Sequence, residues 1–198
     1  SVTVHDVPTA TFTATPQLCA NEQAQITYVG SADPTNATFT WDLDGGSGAG
    51  GNNFQANWST PGTKTITLTV EENGCESVAF SQTITVFPLP SASFFVQPSL
   101  CVDDIAQITY TGSSPFGASY AWTFGGGTVL AGSGQGPYQV QWLTPGNKDV
   151  CLQVQENGCL SNLNCQSVNV TARPNVDIVP VVNQCLQGNS FTFSTSGG

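Results

Sequence analysis

From Lys64 to Val70 the chain alternates strictly: Ile66, Leu68 and Val70 fall on one face, and Thr65, Thr67 and Thr69 on the other. A period of two marks a strand whose sheet is packed on one side and wet on the other. Similar strand signals occupy residues 9–15, 25–29, 38–43, 54–58 and 78–86, each set off by Gly, Pro, Asn or Asp. Two such sheets must cover each other's apolar faces, so the pattern predicts an all-β sandwich. Phe12 and Trp41 are its expected core plugs, with Phe94, Trp122 and Ile178 at the matching places further along. Trp58 and Trp142, each just before a Thr-Pro-Gly turn, read as structural. Exposed rings that stack on sugars are the opposite reading for the tryptophans, but strand aromatics in sandwiches are more often core.

The pattern repeats. Pro8, Pro90 and Pro174, Cys19, Cys101 and Cys185, and Cys75 and Cys159 recur at intervals of 82 or 84 residues. Leu18-Cys19 with Ala24-Gln25-Ile26-Thr27-Tyr28 matches Leu100-Cys101 with Ala106-Gln107-Ile108-Thr109-Tyr110. Thr60-Pro61-Gly62 through Glu72-Asn73-Gly74-Cys75 matches Thr144-Pro145-Gly146 through Glu156-Asn157-Gly158-Cys159. A repeat of this length is a whole domain rather than a solenoid turn. The expected organisation is the last strand of a preceding repeat at 1–7, full repeats at 8–89 and 90–173, and the start of a truncated further repeat at 174–198, a window cut from a longer polypeptide. Proline-containing joints at residues 5–8, 87–90 and 171–174 read as short and stiff. A rod is the expected shape, each copy adding on the order of 30–40 Å.

Seven cysteines are odd in number until they are placed on the repeat. Cys19 with Cys75, and Cys101 with Cys159, hold the same two positions in the two copies, so a disulfide within each copy is the economical expectation. Cys151 and Cys165 stand where the first copy has Thr67 and Ser81, flanking the Glu156-Asn157-Gly158 turn. A second, cross-strand bridge is expected there. Cys185 is then left for a partner beyond residue 198. Paired recurrence argues against buried reduced thiols, and without C-x-x-C pairs a zinc site is not expected. Disulfides place the chain in an oxidising, extracellular or cell-surface setting.

Composition narrows the function. Charged residues are only 8% of the chain, and 13 acids against three Lys and Arg give a net charge of −10. Nucleic acid and anionic membrane surfaces are disfavoured as partners. No run of 18 apolar residues suggests direct membrane insertion. His5 is the single histidine and lies in a joint, so a Ser-His-Asp or Cys-His arrangement cannot recur through the repeats, and no catalytic residues are expected. Cofactors are not expected either, apart from a calcium candidate at Asp42, Asp44 or the Glu71-Glu72 turn, for which solvated acidic loops are the alternative. The second copy has Thr123 and Gly125 in place of the two aspartates. Glycine runs at 45–51 and 125–136 lack Gly-Lys-Ser/Thr and lead into no helix, so they read as loops rather than phosphate cradles. Their lengths differ between copies, which makes them a place for partner specificity.

Trp41-Asp42-Leu43-Asp44-Gly45-Gly46, the Thr-Pro-Gly turn and the Asn-Gly-Cys hairpin resemble the PKD-like (polycystic-kidney-disease-type) domains found in tandem in giant surface and secreted proteins of the Bacteroidetes. Trp122-Thr123-Phe124-Gly125-Gly126-Gly127 departs from the usual Trp-Asp-Phe-Gly-Asp-Gly signature and is closer to the cysteine-containing subgroup. The resemblance implies immunoglobulin-like β-sandwiches without catalytic residues, used as spacers, adhesive modules or fibre segments. The expected function is therefore a structural or adhesive segment of a long extracellular fibre or adhesin. The alternative is a spacer or polysaccharide-binding accessory region of a secreted hydrolase. Expected partners are neighbouring repeats of the same polypeptide, like chains in a filament, or surface glycans.

Overall fold

The computed structural model describes residues 4–114 and 118–175. The expectations for residues 1–3, Ile178, Cys185 and the truncated repeat lie outside the described residues. Strands and turns make up the fold, and among the described residues no helix is long and apolar enough to cross a membrane.

The first nine strands are β1 (Phe12–Ala14), β2 (Gln17–Cys19), β3 (Gln23–Tyr28), β4 (Thr38–Asp42), β5 (Ser47–Gly48), β6 (Asn53–Asn57), β7 (Gly62–Glu72), β8 (Cys75–Glu76) and β9 (Phe80–Phe87). They form one sheet in the order β1-β3-β6-β5 and another in the order β2-β9-β7-β4, with β8 paired to β7. The next nine are β10 (Phe94–Val96), β11 (Ser99–Cys101), β12 (Ile105–Tyr110), β13 (Ser119–Phe124), β14 (Thr128–Ala131), β15 (Tyr138–Gln141), β16 (Gly146–Glu156), β17 (Cys159–Leu160) and β18 (Asn164–Thr171). Their sheets run β10-β12-β15-β14 and β11-β18-β16-β13, with β17 on β16, so the topology is the same strand for strand.

The alternation seen in sequence decides which face is buried. Ile66, Leu68 and Val70 on β7 and Ile84 and Val86 on β9 are at most 1% exposed, and Val150, Leu152, Val154, Val168 and Val170 repeat the pattern on β16 and β18. Facing strands contribute Ala24, Ile26 and Ala56 to one core, and Ala106, Ile108 and Val140 to the other. Besides β5 and β14, which lie in the glycine runs read as loops, two short elements of the first nine escaped the sequence pattern. One is β2, which lies parallel to β9 and pairs Leu18 with Val86 and Cys19 with Phe87. The other is β8, started by a two-residue Asn73-Gly74 turn with φ of 53° and 80°. Both residues sit in the left-handed region that a tight hairpin turn demands, which is why Asn-Gly recurs as Asn157-Gly158.

The tryptophans divide the core work differently from the sequence expectation. Trp58 and Trp142 are each 1% exposed and are the largest fully buried side chains. Their indole N–H groups donate to the Leu43 carbonyl at 2.6 Å and the Phe124 carbonyl at 2.8 Å. Trp41 and Trp122 are only half-buried. Trp41 packs edge-on against Phe12 and Phe54 with centroids 4.9 and 5.2 Å apart, while its N–H donates to the Gly51 carbonyl. Trp122 does the same against Phe94 at 5.1 Å. Phe12 and Phe94 are 4% and 5% exposed. The reason for the reversal is position: Trp58 and Trp142 lie just past the ends of β6 and β15, while Trp41 and Trp122 roof the core from β4 and β13, which end their sheets.

The chain parts into two compact units. One comprises Ser1–Ala92, Gly112–Tyr120 and Gln153–Asn162, the other Ser93–Thr111, Ala121–Leu152 and Leu163–Gly198.

Candidate functional site

The most distinctive chemistry of the chain is its cysteines. Cys19 closes β2 opposite Phe87, and its amide donates to Glu22 Oε2 at 2.9 Å across a tight turn with Asn21 at φ 68°. Cys159 follows the Asn157-Gly158 turn as the first residue of β17, opposite Glu156. The two are disulfide-bonded with Cα atoms 5.6 Å apart, inside the first unit, to which the Gln153–Asn162 tip belongs. Both are buried, Cys159 completely. Beside the bond lies a cleft of about 250 Å³ lined by Glu22, Phe87, Asn157 and Gly158.

This pairing corrects the expected Cys19–Cys75 and Cys101–Cys159 bonds; Cys75 and Cys101 are thiols. The reason lies in the strand register. Val86 of β9 faces Leu18 on one side and Gly62 on the other, so Cys19 sits beside the start of β7. Cys75 faces Glu72 at the far end of that strand. Ten residue steps of extended chain separate the two ends by about 33 Å. A disulfide needs Cα atoms within about 7 Å, so the two cysteines of one copy cannot meet.

The other bridge joins Cys151 and Cys165, which are register partners on β16 and β18, with Cα atoms 4.1 Å apart. Thr67 and Ser81 hold the same register on β7 and β9, where their hydroxyls hydrogen-bond at 2.8 Å.

Asp42 and Asp44 are engaged locally rather than gathered around a common point. Asp42 Oδ1 accepts from the Asp44 amide at 2.9 Å, and Asp44 Oδ2 accepts from the Thr65 amide at 3.0 Å, fixing the β4 turn against β7. Glu72 Oε1 accepts from the Asp33 amide at 2.9 Å. Asp33 itself is held below the usual carboxylate range, chiefly by hydrogen bonds from the amide and hydroxyl of Thr35. Among the described residues no group of three or more His, Cys, Asp or Glu side chains could hold a metal ion. Cys75 Sγ lies 3.9 Å from His5, and the contact is to the backbone carbonyl oxygen.

The glycine runs have a packing role that the sequence pattern hid. A Cβ on Gly46 would stand 2.5 Å from the Trp58 ring, and one on Gly127 would meet Val140 at 2.5 Å and Trp142 at 2.7 Å. Each glycine lets a turn close directly over a buried indole. A second missed feature is the serine two residues after each tip cysteine. Ser77 and Ser161 are buried, and each hydroxyl accepts a backbone amide, of Val70 and Val154 respectively, at 2.9 Å. Their recurrence at one repeat interval was the available signal.

Comparison with known proteins adds a family. No curated protein matches the chain. Among solved structures, the insect immune protein hemolin matches at 12% identity with a TM-score of 0.46, covering 84% of this chain and 47% of that one. An ICAM-5 D1–D4 ectodomain fragment matches at 16% identity and 0.45, covering 86% and 48%. A Bacteroides ovatus SGBP-B, solved with a mixed-linkage heptasaccharide, matches at 17% identity and 0.32, covering 84% and 48%. The chain thus spans about half the length of these structures. The family model for the PKD domain matches residues 5–87. Over those matched residues the two four-stranded paths of β1–β9, packed around Ile26, Trp58 and Leu68, form a β-sandwich.

Proposed function

We propose that this chain is a non-catalytic segment of an extracellular fibre or surface adhesin, built from copies at 8–89 and 90–173 that one disulfide ties to each other. The observation that carries this reading is Cys19–Cys159, which joins a cysteine of the first copy to one of the second. Under tension it would shield the chain between the two cysteines from force applied at the chain ends, leaving β1 and β18, which lie outside that loop, to bear the load. The rarity of charge and the presence of only Lys64, Lys148 and Arg173 as basic residues suit a chain exposed to proteases outside the cell. The bonds themselves call for an oxidising compartment. Contact with a surface or with like chains would then be weak and repeated, gaining avidity from the array.

Electron microscopy of intact, unpermeabilised cells labelled with antibody to this chain tests the reading. Labelled filaments extending from the surface are the expected result. Label on compact secreted particles that carry a hydrolase domain would overturn it.

A further inference from the structure

Cys75 and Cys101 remain as thiols, and each stands where its counterpart in the other copy is bonded. Cys101 ends β11 with Thr171 of β18 as its register partner, and its amide donates to Asp104 Oδ2 at 3.0 Å. Cys19 ends β2 opposite Phe87 of β9 in the same way, with Glu22 as the acceptor. Cys75 opens β8 after the Asn73-Gly74 turn as Cys159 opens β17 after Asn157-Gly158.

The likeness extends to what surrounds the tip cysteine. His5 precedes Pro8 by the same three residues as Phe87 precedes Pro90. Phe87 is the register partner of Cys19 and lines the cleft with the turn that carries Cys159. Cys75 lies against the His5 carbonyl oxygen at 3.9 Å. Cys75 therefore holds beside His5 the place that Cys159 holds beside Phe87, and what it lacks is a cysteine of the Cys19 class in register with His5.

We propose that Cys75 and Cys101 are coupling sites for adjoining copies of this repeat. Cys75 takes a Cys19-class cysteine from a copy on its amino-terminal side. Cys101 takes a Cys159-class cysteine from a copy on its carboxy-terminal side. The disulfides then form a ladder from each copy to the next, independent of what the array binds. Each rung needs a two-electron oxidant, here a low-molecular-weight disulfide such as oxidised glutathione. One thiolate displaces a reduced glutathione to give a mixed disulfide, the second thiolate displaces the other, and two reduced glutathiones leave with the two protons.

Two chains test the proposal. Alkylation and mass mapping of the oxidised 198-residue chain should label Cys75 and Cys101 while sparing Cys19, Cys151, Cys159 and Cys165. A longer chain, in which residues 1–173 run directly into a second set 8–198, keeps the repeat phase and gives the first Cys101 a following copy. Refolded in a glutathione buffer, it should bond that Cys101 to the second Cys75. Labelling at both should fall by about tenfold or more, because the tether supplies a high effective concentration. C75S in the second set should restore labelling of the first Cys101. Full labelling of the joined pair, with Cys19–Cys159 formed in both halves, overturns the proposal. A bond between Cys75 and Cys101 of the same set, or failure of either Cys19–Cys159 rung, also overturns it.

Discussion

The long hairpins β7–β9 and β16–β18 share length, register and buried faces, yet they are fastened differently on the solvent side. Where Thr67 and Ser81 share a hydrogen bond of 2.8 Å, Cys151 and Cys165 share a covalent bond. Equivalent positions thus carry cross-links of very different strength without any change of fold. The Cys151–Cys165 bond spans 14 residues of sequence, while Cys19–Cys159 spans 140. One stiffens a hairpin and the other closes a loop ten times as long, and chain entropy makes the second the larger stabiliser.

The sharpest break in that comparison is C19S. Opening a 140-residue loop is expected to cost about 5 kcal/mol in the chain-entropy model. Guanidinium unfolding should show it as a lower midpoint, against wild type and against the same variant under reductant. Nearly as large is W58A, expected to cost about 3–5 kcal/mol because it removes the largest fully buried side chain of its sandwich. W41A, which removes a half-buried ring, should cost about half as much. An equal effect from the two would mean that both indoles plug the core.

Exchanging the hairpin fastenings sharpens the comparison directly. C151T with C165S should lose about 3 kcal/mol, and T67C with S81C should gain a similar amount once oxidised, since each closes a 14-residue loop. Thermal unfolding in the presence and absence of reductant reads both. The smallest of these effects is G46A, about 1–3 kcal/mol of overpacking against Trp58, with G127A its counterpart over Trp142. Near-UV circular dichroism of the tryptophans would report whether the indole moves.

How much of this was legible in the sequence follows from what is local. The alternation of Ile66, Leu68 and Val70 fixed a buried face, and Asn-Gly between two alternating runs fixed a tight hairpin. With the hairpin in hand, Cys151 and Cys165 were matched across it, as Thr67 and Ser81 were. Recurrence also sorted the remaining cysteines into two classes. It carried no information on which end of the sandwich each class occupies. That depends on β2 pairing in parallel with β9 almost 70 residues away, as Gln17 with Thr85, and three residues of strand leave no periodic trace. The tryptophan order was hidden for the same reason, since burial depends on which strand ends the sheet. Gly46 and Gly127 read only as loop residues because nothing in a glycine run announces a buried ring beneath it.

The central claim is that the bond runs between copies rather than within them, and the scarcity of basic residues makes it directly measurable. Trypsin should cleave the chain after Lys64 and Lys148, with Arg173 protected by Pro174, leaving fragments 1–64, 65–148 and 149–198. Intact-mass analysis of the alkylated, non-reduced digest should find fragment 1–64 linked to 149–198 through Cys19 and Cys159, with 65–148 free and its two cysteines alkylated. Fragment 65–148 linked to both of the others would restore the bonds Cys19–Cys75 and Cys101–Cys159 and contradict the account.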